Sequence, residues 1–184
     1  MLSNSLIAEV RVSKLAVNIV GTFLTVLLCV AGVLFAHLLP HYSDFDDWQA
    51  FLFLVCLIIL IPVHEALHAL GLLVFARISL SKLRFGVMWR ALIPYCHCTV
   101  PIHVAAYRRM ALLPLWITGT GSFIALTIFP TDGLGILAGV TVAACIGDVW
   151  VVAKLRRFAD DLLVQDHPSE IGCDVLSSTT GNVA

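Results

Sequence analysis

The sequence predicts an all-α membrane protein: four transmembrane helices, with a β-hairpin on the cytosolic side between helices two and three. Three observations predict it. First, 60% of the 184 residues are hydrophobic and only 12% are charged, against about 45–50% and about 25% in soluble domains. The mean hydropathy of +0.98 agrees. Second, four apolar runs are each twenty or more residues long, and a helix needs about 20 residues to cross the hydrocarbon core. Third, every Lys and Arg falls on one side of those runs. These figures exclude an ordinary soluble domain, a disordered chain and a disulfide-knitted module. A net charge of −1 leaves no basic field for nucleic acid.

The first span covers residues 16–39 and holds no charge. It starts too late, and lacks the small-residue cleavage site, to be a signal peptide. The second, residues 51–76, holds one charged residue, Glu65. The third, residues 110–130, holds none. The fourth, residues 133–152, holds one, Asp148. Basic residues mark the cytosolic side. Arg11 and Lys14 precede span one. Arg77, Lys82, Arg84, Arg90, Arg108 and Arg109 lie between spans two and three. Lys154, Arg156 and Arg157 follow span four. The opposite loops carry only Asp44, Asp46, Asp47 and Asp132. This partition predicts a multi-pass protein of the cell membrane with both termini in the cytosol.

Between spans two and three, Leu83, Phe85, Val87 and Trp89 alternate with Lys82, Arg84, Gly86 and Arg90. A period of two predicts a half-buried strand. A turn near residues 92–94 and a second strand over 95–104 complete a hairpin. Its edge is a natural dock for an extended peptide. Residues 1–176 read as a single domain, and the polar tail at 177–184 as disordered. The six cysteines lack disulfide-framework spacing and are expected as thiols. Nothing in the pattern specifies an oligomeric state.

Span two contains His64-Glu65-Ala66-Leu67-His68, an H-E-x-x-H pattern. Residues four apart lie one helical turn apart on one face, so His64 and His68 can reach one metal ion. Glu65 then sits beside a metal-bound water as a base. A carboxylate at such depth costs at least about 2.5–3.5 kcal/mol on insertion scales, so an idle Glu65 is hard to retain. Pro62 removes a backbone hydrogen bond just before the motif and can kink the helix.

Catalytic zinc takes three protein ligands and leaves a position for water. Asp148 is the best third ligand, with His103 and His97 as other candidates. At about 1.5 Å per residue, Asp148 lies roughly 9 Å before Lys154 and His68 roughly 13 Å before Arg77, so both sit in the cytosolic half. Gly147 permits close helix approach. His37 and His41 lie on the opposite side. Cys96-His97-Cys98 with His103 is a second possible cluster, but in a strand Cys96 and Cys98 face one way and His97 the other.

These residues carry a resemblance. His64-Glu65-Ala66-Leu67-His68, Pro94-Tyr95-Cys96-His97-Cys98, Ala111-Leu112-Leu113-Pro114, Gly147-Asp148 and the run from Asp166 to Gly172 resemble the family of small membrane proteins described as putative zincin peptidases. That family is similar to the site-2 intramembrane metalloproteases, which hold zinc with H-E-x-x-H and an Asp from a later span. The resemblance covers roughly residues 50–175. It implies zinc as cofactor, held by His64, His68 and Asp148, with Glu65 as catalytic base. It implies a membrane-embedded endopeptidase acting on peptide or membrane-protein substrates in the lipid bilayer. Site-2 proteases typically carry an Asp-Gly motif, whereas here Gly147 precedes Asp148 and Val149 follows it. The competing expectations are a non-catalytic adaptor or metal-handling protein that keeps the fold, and a zinc hydrolase of non-peptide substrates.

Overall fold

The computed structural model describes residues 5–44, 46–88, 93–167 and 170–177. Four helical rods are long and apolar enough to cross a membrane. The first is α1 (Lys14–Leu38) and the second α2 (Asp47–Phe75). The third comprises α3 (Val104–Pro114), a wide π turn (Leu115–Gly119) and α4 (Thr120–Ile128). The fourth comprises α5 (Asp132–Ala144) and α6 (Ile146–Leu155), interrupted at Cys145. Their starts have local causes. Side chains of Ser13, Asp46 and Thr131 accept hydrogen bonds from the first-turn amides of α1, α2 and α5, satisfying donors that have no partner within the helix. The α2 rod continues through Pro62.

The third rod begins at Val104 rather than 110, so Arg108 and Arg109 lie inside it. Arg108 donates to the carbonyls of Leu155 and Phe158 and pairs with Asp160, capping the last turn of α6. Close backbone approach holds the first and fourth rods together. A Cβ on Gly32 would stand 2.1 Å from the Gly135 carbonyl oxygen, so both positions need glycine.

The expected hairpin is present as β2 (Leu83–Met88) and β3 (Ile93–Cys98), antiparallel, with Phe85 opposite Cys96 and Gly86 opposite Tyr95. Ile93 and Pro94, expected in the turn, belong to β3 instead; residues 89–92 lie outside the described residues. The second strand ends at Cys98, not 104. The chain then adds a short strand, β4 (Ile102–His103), to a different sheet.

That second sheet corrects the all-α expectation. It is antiparallel, four-stranded and ordered β1-β6-β5-β4, with β1 at Leu6–Val12, β5 at Leu163–Asp166 and β6 at Ile171–Leu176. The two ends of the chain therefore meet, with Val10 opposite Cys173. Val10, Val12, Val164, Cys173 and Val175 turn inward. They pack on Val104, Tyr107, Met110, Val151 and Leu155, at the ends of α3 and α6, to form the main core. The tail expected to be disordered starts at Ser177, which bonds Ser5; the rest of it lies outside the described residues.

Candidate metal centre

His64 and His68 lie one turn apart on α2, and Asp148 lies in the first turn of α6. A carboxylate near a helix N-terminus is favoured by the helix dipole. His64 Nε2 is 3.1 Å from His68 Nε2 and 3.3 Å from Asp148 Oδ2, and His68 Nε2 is 3.5 Å from Asp148 Oδ1. With one oxygen taken for Asp148, all three ligand atoms lie within 4.8 Å of one another. This is the one such group found among the described residues. Zinc bonds of about 2.0–2.2 Å set tetrahedral ligand atoms about 3.3–3.6 Å apart. Two imidazoles and one carboxylate at these separations fit a zinc ion.

The ring of His68 is oriented from behind. Its Nδ1 lies 3.4 Å from the backbone carbonyl of Met110. A carbonyl only accepts, so Nδ1 carries the hydrogen and Nε2 presents its lone pair to the site. Two residues of the sequence make this contact possible. Pro114 has no N–H, so it cannot donate to Met110 as position i+4 ordinarily does. Gly71 lets α3 approach: a Cβ there would stand 2.8 Å from Met110 Cα.

Gly147 does not serve the close helix approach expected of it. A Cβ there would meet only Val17, at 3.9 Å, which is ordinary contact, so helix approach does not require it. Of the other third-ligand candidates, His103 bonds the Asp161 carbonyl at 3.1 Å on the exposed surface. His97 lies 3.8 Å from Asp166 and outside the ligand group. His37 pairs with Asp132 and stacks on Tyr42, near the turn between the third and fourth rods.

The ligand group and Glu65 line a cavity of about 470 Å³, together with Tyr95, Cys96, His97, Tyr107 and Asp166. Cys96 of β3 and Glu65 line the same cavity. Tyr107 and Asp166 are absent from the site expected from the sequence. Asp166 opens the run to Gly172 that carries part of the resemblance, but nothing in that run marks it as a cavity residue, and the second sheet brings it inward. Its Oδ2 accepts from the Cys98 amide at 2.9 Å, and Gln165 Nε2 donates to the Cys98 carbonyl at 2.9 Å. These side chains occupy the edge of β3 at Cys98, so the expected free docking edge is already filled there.

Burial raises the pKa of the Asp166 carboxyl, with the Cys98 amide opposing. Burial, with Glu65 and Asp166 nearby, pushes the Cys96 thiol up to about 12. The Cys98 thiol is also raised, chiefly by burial, and donates to the Val100 carbonyl at 3.2 Å. Cys96, His97, Cys98 and His103, the second possible cluster, do not form a ligand group among the described residues.

A centre built on H-E-x-x-H with a carboxylate from a later helix defines the class: a helical protein with a potential metal site at one end of its bundle. Residues 57–163 match the family described as putative zincin peptidases. The chain belongs to that family. No curated protein and no solved structure matches it.

Proposed function

We propose that this protein is a zinc-dependent endopeptidase embedded in the membrane, acting on peptide or membrane-protein substrates. The observation that carries the reading is the His64, His68 and Asp148 group, at zinc-like separations, with Glu65 in the same cavity. Membrane insertion is supported by a stripe of exposed apolar side chains on α1: Leu15, Ile19, Phe23, Val26, Val30 and Leu34. Their spacing of three and four makes one helical face, and in water such a face is a liability. Both termini are assigned to the cytosol. The pairing of β1 with β6 supports this, because it gathers both ends of the chain on one side. The lysines and arginines mark that same side.

His64, His68 and Asp148 would hold the zinc. Zinc, when bound, supplies Lewis acidity toward a water and a substrate carbonyl. Glu65 accepts the proton of the attacking water and passes it to the leaving amine. The Met110 carbonyl holds the His68 ring in place. The second sheet and α3 close the far side of the cavity and limit bulk water. A transmembrane substrate must unwind locally, since its backbone is otherwise internally bonded. The arrangement is similar to that of site-2 proteases in its ligand types and in drawing them from two separate spans.

The test is cleavage of a membrane-tethered reporter by the purified protein. Wild type cleaves it. Glu65→Gln retains about one zinc per chain and loses at least about 100-fold in rate, the low end for removing a general base. A Glu65→Gln rate equal to wild type overturns the assignment of the base. Full zinc content with no cleavage by wild type favours a non-catalytic metal-handling protein.

A further inference from the structure

We propose that an apolar groove beside the metal centre holds one acyl chain of an anionic phospholipid from the cytosolic leaflet, with the headgroup on Arg77 and Lys82. This rests on the membrane-embedded reading of the helices and not on the peptidase chemistry. The groove is a cavity of about 630 Å³ between α2 and the hairpin. Pro62, Ala66, Leu70 and Leu73 form one wall. Their spacing of three and four makes one helical stripe. Leu80, Phe85 and Val87 form the other wall and are exposed.

The length of the groove selects its occupant. From Pro62 to Leu73 the helix rises about 16 Å, at about 1.5 Å per residue. Half of a hydrocarbon core is about 15 Å. The groove thus runs from the end of α2 to the middle of the bilayer, which is the reach of an acyl chain and too long for one substrate side chain. Its outer end is basic. Leu80 and Lys82 share one 3₁₀ turn, and Arg77 lies just beyond the end of α2 at Phe75. Both basic residues are exposed. No Asp or Glu lies between Glu65 and Asp132 in the sequence, so nothing in that segment offsets the charge. Basic residues just cytosolic of a span attract anionic headgroups.

The groove adjoins the centre. Around α2, Glu65 lies about 60° from Pro62 and about 60° from His68, between the groove stripe and the ligand face. Glu65 and Tyr95 line both cavities. A Cβ on Gly86 would stand 2.5 Å from Tyr95 Oη, so the glycine lets that ring lie across the hairpin as a partition. A seated acyl chain closes the outer side of this partition, behind Glu65.

The test is native mass spectrometry of protein released from micelles doped equally with dioleoyl phosphatidylglycerol and dioleoyl phosphatidylcholine. Wild type is expected to retain one phosphatidylglycerol per chain under washing that strips other lipid. Arg77→Gln combined with Lys82→Gln weakens its affinity about 30-fold, for two charges near the headgroup, and leaves phosphatidylcholine unchanged. Leu70→Trp fills the groove and abolishes retention. Leu54→Trp, also exposed on α2 but outside the groove, does not. Thermal unfolding checks that each variant is folded. Equal retention of the two lipids overturns the proposal, as does phosphatidylglycerol held alike by wild type, the double variant and Leu70→Trp. Release of the lipid on adding the reporter substrate gives the groove to the substrate and overturns it too. Wild type that stays monodisperse in buffer without detergent removes the membrane reading itself, and the lipid site with it.

Discussion

Asp148 carries two contacts that no other described residue duplicates, one oxygen toward each imidazole. Asp148→Ala leaves a two-ligand site and is expected to lower zinc affinity by at least about 100-fold, beyond the range for losing an outer-sphere partner. Zinc titration against a competing chelator measures this, and unchanged affinity would remove Asp148 from the ligand set. The Cys96 thiol gives a second residue-scale prediction. Pushed up to about 12 by burial and by Glu65, it is almost wholly protonated at pH 7.5, and the thiolate is the nucleophile. Maleimide at that pH is expected to leave Cys96 unmodified in the folded protein and to modify it after denaturation. Rapid labelling of the native protein would show an open, ionised thiol instead. At this scale the centre was largely legible. Glu65 and Asp148 are the only charges within apolar runs, and H-E-x-x-H spacing is a helical property. The burial of Asp166 was not legible, because its polar neighbours do not distinguish a buried carboxylate from a solvated one.

The elements deliver these residues through two backbone devices. Pro114 leaves the Met110 carbonyl without its usual helical donor, and Gly71 lets that carbonyl reach His68. Pro114→Ala restores the competing donor and is expected to weaken zinc binding by about 10-fold, the low end for disturbing a partner of a metal-bound imidazole. The fold is expected to survive, with thermal unfolding as the control. Gly71→Val forces a contact against backbone. It is expected to cost about 1–3 kcal/mol of stability, as overpacking does, and to displace the Met110 carbonyl. A Gly71→Val protein with native stability and zinc affinity would contradict this packing. The four rods were legible from apolar run length. The earlier start of the third was not, because Arg108 and Arg109 read as loop charges until Arg108 is seen capping α6.

The whole molecule is two layers, a helical bundle and a sheet over one of its ends. The sheet joins the first strand to the last, with Arg11 of β1 bonded to Asp174 and Glu170. Local periodicity could not reveal it. β4 has 2 residues and β5 has 4, too few to show alternation, and the β1–β6 pairing spans nearly the full chain. The hairpin, by contrast, pairs neighbouring segments and showed its period of two. Deletion of residues 1–12 removes β1 and bares the inward side chains of Cys173 and Val175. It is expected to lower the unfolding temperature in detergent and to reduce zinc retention, because the same core supports α3 and α6. Unaltered unfolding would mean that the bundle stands without its sheet.

The account depends most on one position in space, the point enclosed by His64, His68 and Asp148. Anomalous difference density recorded at the zinc edge from crystals of the purified protein addresses it directly. The predicted result is one peak per chain, about 2.0–2.2 Å from His64 Nε2, His68 Nε2 and an Asp148 carboxylate oxygen. A map without a peak there, or with zinc at Cys96 and Cys98 instead, would contradict it.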